Sequence, residues 1–161
     1  MNHAELAADE IRRALSGPAW HGSSLHELIA AISAEEALQR PIPTAHNIWE
    51  LVLHITSWSN IALRRITGGQ VEPYEDEDWP FPNEMTAGRW DADRQSLTQS
   101  HDRLIEAVAA MSDDDMLAKA PQSSNSVAVM LHGVAQHDAY HGGQIALLRK
   151  IVTTRHRRTA I

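Results

Sequence analysis

The sequence predicts an all-α fold, arranged as a four-helix bundle. Apolar residues recur at spacings of three and four along four long segments, which is the period of an amphipathic helix, whereas the alternation typical of strands is scarce. The chain has 161 residues, the size of one ordinary domain that buries its own core. We therefore expect a single domain over residues 1–161, with the apolar faces of four helices packed together.

The first predicted helix covers about residues 4–15 and ends at the Gly17-Pro18 pair. Its apolar face contains Ala4, Ala7, Ala8, Ile11, Ala14 and Leu15. A short helix over about residues 24–32 follows, with four apolar residues on one side, and a turn with two prolines comes after it. We expect this short helix to cap one end of the bundle.

The second long helix is predicted over about residues 47–67. The Asn47 side chain can cap it, while Glu50, three residues on, can reach back to the cap amide. Its apolar face contains Ile48, Leu51, Val52, Ile55, Trp58, Ala62 and Ile66. The Gly68-Gly69 pair ends it.

An irregular stretch over residues 70–85 separates the second and third long helices. It contains three prolines and four consecutive acids, Glu75, Asp76, Glu77 and Asp78. We interpret these acids as part of a solvated loop and not as a cation site. The linker can stretch to roughly 60 Å, whereas a helix of the second one's length spans roughly 30 Å. The second and third helices can therefore run in the same direction, joined by a long crossover.

The third and fourth long helices are predicted over about residues 86–111 and 126–152. The bundle face of the third contains Trp90, Arg94, Leu97, His101, Leu104, Val108 and Met111. That of the fourth contains Val127, Met130, Val134, His137, His141, Ile145, Leu148 and Val152. Two histidines thus lie within the apolar face of the fourth helix.

Composition excludes several classes of function. The formal net charge of −7 argues against a protein that coats nucleic acid or an anionic membrane. The basic residues Lys150, Arg155, Arg157 and Arg158 suit the C-terminal end of a helix dipole. No segment approaches the roughly 20 apolar residues of a membrane span, and the first residues lack a signal-peptide pattern, so we expect a cytoplasmic protein. Cysteine is absent, which excludes disulfides, a cysteine nucleophile and thiolate metal ligands.

The histidines of the fourth helix indicate a metal site. His137 and His141 are four residues apart, so their side chains lie one above the other and can bind one ion. His54, on the inward side of the second helix, is the best candidate for a third ligand. Three histidines leave coordination positions open, as in catalytic sites. Two inward histidines could equally hydrogen-bond to backbone carbonyls or water.

Several neighbours of these histidines have alternative interpretations. Gln144 can orient a ligand or pack between helices, and Tyr140 can donate a hydrogen bond to substrate or pack beside a helix. Glu50 can act as a base or serve only as a cap. Gly142 and Gly143 each cost about 1 kcal/mol relative to alanine, which suggests the close approach of a backbone or ligand.

Two further features bear on the site. His101 lies in the bundle face of the third helix, where it can be a fourth ligand or a buried histidine bonded to a carbonyl. Trp49 and Trp58 flank His54 and can wall an apolar pocket or belong to the core.

Two segments resemble a known family. His137-Asp138-Ala139-Tyr140-His141-Gly142-Gly143-Gln144-Ile145 and His46-Asn47-Ile48-Trp49-Glu50-Leu51-Val52-Leu53-His54 are similar to the DinB superfamily, and the resemblance covers nearly the whole chain. It implies a four-helix bundle of up-down-down-up order, often a homodimer, with zinc or nickel on three side chains. Two of these come from the fourth helix and one from the second, which correspond to His137, His141 and His54.

The resemblance also bears on function. Characterised members include bacterial enzymes that use a low-molecular-weight thiol such as bacillithiol or mycothiol for transfer and isomerisation. A metal can lower the pKa of an external thiol, so a chain without cysteine can still perform thiol chemistry on a small-molecule substrate. A hydrolase with a metal-activated water and a non-catalytic metal-binding or stress-related interaction protein are the alternatives.

Overall fold

The computed structural model describes residues 2–70 and 72–159, and their side chains as far as residue 153. Within these residues the secondary structure is helical, with two isolated β-bridges and no strand, so the all-α prediction is confirmed. The helices are α1 (His3–Ser16), α2 (Leu25–Ile29), α3 (Ala34–Leu38), α4 (Ile48–Ile66), α5 (Ala87–Ala109), α6 (Asp113–Leu117) and α7 (Val127–Thr159). In the described part of the chain, no helix has both the length and the apolarity needed to cross a bilayer.

The four long helices begin and end close to the predicted residues, with one exception. Helix α7 continues to Thr159, beyond the predicted end near residue 152. The basic residues therefore lie within this helix. The side chains of Arg155, Arg157 and Arg158 lie outside the described residues, so their interaction with the helix dipole stays a prediction.

Two short helices were not predicted. The helix predicted over about residues 24–32 is shorter in the structure, where α2 covers Leu25–Ile29. Helix α3 begins separately after Ser33, whose side chain and that of Glu36 form a reciprocal cap. Ser112 and Asp115 form the same arrangement at the start of α6. Both pairs are serine followed three residues later by an acid, the sequence signature of such a cap.

The start of α4 is fixed by the predicted cap. Asn47 Oδ1 accepts a hydrogen bond from the backbone N–H of Glu50 at 2.9 Å, and Glu50 Oε2 accepts one from the backbone N–H of Asn47 at 3.1 Å. The cap prediction is confirmed. Because His54 lies about two turns further on, this cap sets its position along the bundle.

The long helices pack side by side in a ring. Helix α1 packs against α5 and α7, and α4 also packs against α5 and α7, so α5 and α7 face each other across the bundle. One apolar cluster, which includes Trp49 and Trp90, fills the end beside α2 and α3. A second cluster, which includes Ile11, Leu104 and Leu131, fills the end beside α6.

Buried polar residues lie between the two apolar clusters. On α5, His101 lies between Leu97 of the first cluster and Leu104 of the second. On α7, Asp138 lies between Leu131 and Ile145. A layer of polar side chains therefore crosses the middle of the bundle, and the candidate metal ligands lie at this level.

His101 and Asp138 form a buried pair that spans the bundle. His101 Nε2 lies 3.1 Å from Asp138 Oδ2, and His101 Nδ1 lies 2.9 Å from the carbonyl oxygen of Leu97. Burial by itself would lower the pKa of His101, but the charge and hydrogen bond of Asp138 outweigh it and raise that pKa. We interpret the pair as an imidazolium and a carboxylate, joining α5 to α7.

We predict that Asp138→Asn lowers the free energy of unfolding by about 2–3 kcal/mol, because it leaves a buried imidazolium without its counter-charge. Urea unfolding of metal-free protein measures this. Glu106→Gln, on an exposed position of α5, is the control and should change stability little. Equal stability of the two variants would contradict a charged pair.

Candidate metal centre

Three imidazoles converge at the α4–α7 contact. One nitrogen each of His54, His137 and His141 lies within 4.8 Å of the other two. The closest approach joins His54 Nε2 to His137 Nε2 at 3.0 Å. His137 and His141 come from successive turns of α7, and α4 brings His54 opposite them. The structure thus brings together the three side chains that the sequence singled out.

The spacing of these nitrogens suits one shared cation. Zinc binds imidazole nitrogen at about 2.0–2.1 Å, which separates two nitrogens of a tetrahedral site by about 3.3 Å. The 3.0 Å between His54 Nε2 and His137 Nε2 is close to this value. Two nitrogen lone pairs at that distance repel each other unless a proton or a cation lies between them.

In His54 and His141, the nitrogen that points away from the cluster, Nδ1, has a hydrogen-bond partner. His54 Nδ1 donates to the backbone carbonyl of Asp78 at 2.5 Å, and His141 Nδ1 donates to Gln144 Oε1 at 3.1 Å. In each ring this leaves Nε2 unprotonated, with its lone pair directed at the cluster. His137 Nδ1 is buried and, among the described residues, has no hydrogen-bond partner; Asp138 Oδ1 lies 4.0 Å away.

The surroundings favour the neutral form of all three imidazoles by lowering their pKa values. Burial lowers the pKa of His54 and of His141. Burial, together with the nearby His141, lowers the pKa of His137 to about 4. Neutral imidazole is the form that binds a metal, so the electrostatics of the site suit a cation.

The loop between α4 and α5 is anchored beside the metal centre. Asp78 provides the carbonyl that His54 binds, and its carboxylate accepts a hydrogen bond from Trp58 Nε1 at 2.7 Å. The hydroxyl of Ser57 donates to the Glu77 carbonyl at 2.5 Å, and the Glu77 carboxylate binds Arg64 through two bonds of 2.6 and 2.8 Å.

The solvated-loop interpretation is therefore incomplete. Glu75 and Asp76 are exposed as expected, whereas Glu77 and Asp78 bind α4. Charge alone gave no sign of this, because the backbone carbonyls of these acids, and not only their carboxylates, make the contacts.

Trp79 was missed by the sequence reasoning. Its ring stacks on His54, with centroids 3.7 Å apart and planes 7° apart, and on His46, with centroids 3.6 Å apart and planes 4° apart. Two imidazoles cannot both stack on the same face of the indole at such distances. The indole therefore lies between His54 and His46. It covers one face of a candidate ligand. A single tryptophan in a proline-rich loop carries no periodic signal that could have indicated this.

The tryptophans of α4 have different roles. Trp49 is fully buried in the core and donates to Asp93 at 2.8 Å. Trp58 lies beside the site, with its ring centroid 5.9 Å from that of His137. Only the second of the two walls the neighbourhood of the metal centre.

The predicted supporting residues lie at different distances from this centre. Gln144 contacts His141 directly, as described above. Tyr140 is 67% exposed, with its ring 4.9 Å from that of His141 and nearly perpendicular to it. The Glu50 carboxylate binds the Arg40 guanidinium, His46 Nδ1 and the cap amide of Asn47, which accounts for both of its oxygens. Its proposed role as a base stays a prediction.

The structure decides between the alternatives for His101 and corrects one expectation about the two glycines. His101 is a buried histidine bonded to the Leu97 carbonyl, and its ring nitrogens also contact Asp138 and the Ser100 hydroxyl. Among the described residues it does not belong to the cluster of candidate ligands. A Cβ added at Gly142 would meet only the side chains of Leu25 and Leu28, both at 3.6 Å, and one at Gly143 would meet nothing within 4 Å. No neighbouring backbone approaches these two glycines closely.

Comparisons with known proteins agree with this architecture. A model of the DinB superfamily matches residues 19–145 and so covers both α4 and the histidines of α7. No curated protein and no solved structure matches the chain significantly.

We predict that acid destabilises the metal-free protein between pH 6.5 and about 4. Histidine in the unfolded chain binds a proton near pH 6.5, whereas folded His137 does so only near pH 4, so the unfolded state gains protons first as the pH falls. Urea unfolding of chelator-treated protein at pH 7, 6 and 5 measures the decline. In the variant His137→Gln, the free energy of unfolding should decline less steeply with falling pH. Identical declines in the variant and the parent would show that His137 is not the cause.

We predict that Gln144→Leu weakens metal binding by about 10- to 100-fold, because His141 loses the acceptor that holds its ring. Competition of the purified protein with a chromophoric zinc chelator measures the affinity. Gln136→Leu, at an exposed position of the same helix, is the matched control. If both variants bound zinc equally well, Gln144 would have no orienting role.

Proposed function

The chain belongs to the DinB superfamily, and from that premise we propose that it is a divalent-metal enzyme that transfers a low-molecular-weight thiol to an electrophilic small molecule. The arrangement of three neutral imidazoles carries this proposal, because it provides a cation site of few ligands. The chain contains no cysteine, so a sulfur nucleophile must come from outside. Bacillithiol and mycothiol are the candidate thiols, and zinc or nickel the candidate ions.

The side chains of this site have distinct tasks in the proposed reaction. His54, His137 and His141 would hold the ion, which supplies the Lewis acidity that lowers the pKa of an incoming thiol. The sulfur then bonds to the electrophilic carbon, the leaving group departs with its electron pair, and the thiol proton passes to solvent.

Neighbouring residues position these ligands and shield them. The Asp78 carbonyl and Gln144 hold the rings of His54 and His141 in the binding tautomer. Trp79 covers one face of His54 and excludes water from it. Tyr140, exposed at the edge of His141, is the candidate donor of a hydrogen bond to substrate.

We also propose the up-down-down-up order of the four long helices. Two hydrogen bonds between α4 and α5 support it. The bond from Trp49 to Asp93 joins the first parts of the two helices, and the bond from Arg103 to Asn60 joins their later parts, as in a parallel pair. The bond between His132 and Glu10 fits a parallel α1 and α7. The homodimer and the cytoplasmic location stay predictions.

We predict thiol-dependent turnover by the zinc- or nickel-loaded protein. The assay combines an activated aryl halide with bacillithiol or mycothiol and follows release of the halide. His141→Ala should reduce the rate at least a hundredfold through loss of the ion, a rough figure for removal of a ligand. His132→Ala, an exposed histidine on the same helix, should leave the rate unchanged.

Two outcomes of this assay would replace the proposal. Turnover of an ester or lactone without any thiol, lost in His141→Ala, would indicate a hydrolase. Tight metal binding without turnover of either kind would indicate a protein that binds metal or a partner without catalysis.

A further inference from the structure

A cavity adjoins the candidate metal centre in the groove between α4 and α7. Its volume is about 190 Å³. Its walls include Trp58, Arg65, Met130, Gly133, Val134 and His137. His54, Trp58 and Arg65 follow one another along one face of α4, so the cavity continues the groove from the imidazole cluster towards the end of that helix.

The metal centre and the cavity share one side chain. His137 lines the cavity and, with a side-chain exposure of 26%, is more accessible than His54 at 6%. Trp58 also belongs to both, because it donates to the Asp78 carboxylate and its ring centroid lies 5.9 Å from that of His137. A molecule in this cavity would therefore lie next to the imidazoles.

The walls determine what kind of molecule fits. Trp58, Met130 and Val134 offer apolar surface. Among the described residues of the lining, Arg65 is the one that carries a charge, and its guanidinium lies 5.5 Å from the centre of the Trp58 ring. A cation next to an apolar aromatic surface favours an anion that carries an apolar body, and an ion bound by the histidines would add positive charge nearby. The volume equals roughly six water molecules, enough for one small ring.

Gly133 keeps part of this cavity open. A glycine within a helix costs about 1 kcal/mol relative to alanine. A Cβ at Gly133 would meet nothing within 4 Å, so packing does not require glycine there. A larger side chain at this position would instead extend into space that the cavity occupies.

We propose that this cavity binds the electrophilic substrate of the proposed reaction, and that this substrate is a small carboxylate with an apolar body. The carboxylate pairs with Arg65 and the body packs on Trp58. The assignment of the ligand as substrate rests on the proposed function, whereas the site itself rests on the cavity and its lining. Binding is therefore the property to test.

The probe is phenylacetate, with the neutral phenylacetamide as its isostere, titrated calorimetrically into zinc-loaded protein. Phenylacetate should bind about tenfold more tightly than the amide. Arg65→Gln should remove this preference, and Arg65→Lys, which retains the charge, should restore most of it. Equal binding of acid and amide by the unmodified protein, or an undiminished preference in Arg65→Gln, would overturn the role of Arg65.

A second pair of variants tests the location. Gly133→Leu should weaken binding of both probes at least tenfold while zinc affinity and melting temperature stay near those of the parent. Gly143→Leu is the matched control, because this glycine lies on the same helix, also with open space around its Cβ, but outside the cavity. Undiminished binding in Gly133→Leu would overturn the site. Because no thiol is present, this result is independent of the turnover assay.

Discussion

His54 donates its Nδ1 proton to the backbone carbonyl of Asp78, and the candidate site depends on this hydrogen bond. It selects the tautomer whose Nε2 lone pair is available to a cation. It also connects two parts of the chain that are 24 residues apart, so the conformation of the loop between α4 and α5 and the orientation of the ligand are set together. The bidentate bond between Arg64 and Glu77 holds the same loop one residue earlier.

The buried polar layer explains how a small bundle accommodates this chemistry. The two apolar clusters on either side of this layer supply the burial that stabilises the fold. Within the layer, His101 and Asp138 provide each other's hydrogen-bond partner and counter-charge. Asp138 directly follows the candidate ligand His137 in sequence. Its engagement with α5 therefore also fixes the helix turn that presents His137 to the groove.

The groove between α4 and α7 combines two kinds of environment within a few turns. At the level of His54 and His141 it is lined by imidazoles whose pKa values are lowered by burial. Towards Arg65 and Met130 it becomes an apolar cavity with a cationic edge. Because His137 lies at the junction, a ligand in the cavity and an ion at the histidines would be in reach of each other. This adjacency is what a reaction between an activated thiol and an apolar electrophile needs.

Local patterns in the sequence were enough to predict the four long helices and the three candidate ligands. The spacing of apolar residues, the Asn47–Glu50 cap and the four-residue spacing of His137 and His141 are local patterns, and local hydrogen bonds and helix geometry suffice to interpret them. The place of His54 on the inward side of the second helix made it the best candidate for their partner, and the family resemblance supported this choice. Only the tertiary structure showed that Asp78 and Trp79 hold His54, that Asp138 pairs with His101 and that Arg65 edges a cavity. These contacts join residues far apart in the chain, and no periodicity records which irregular loop folds onto which helix.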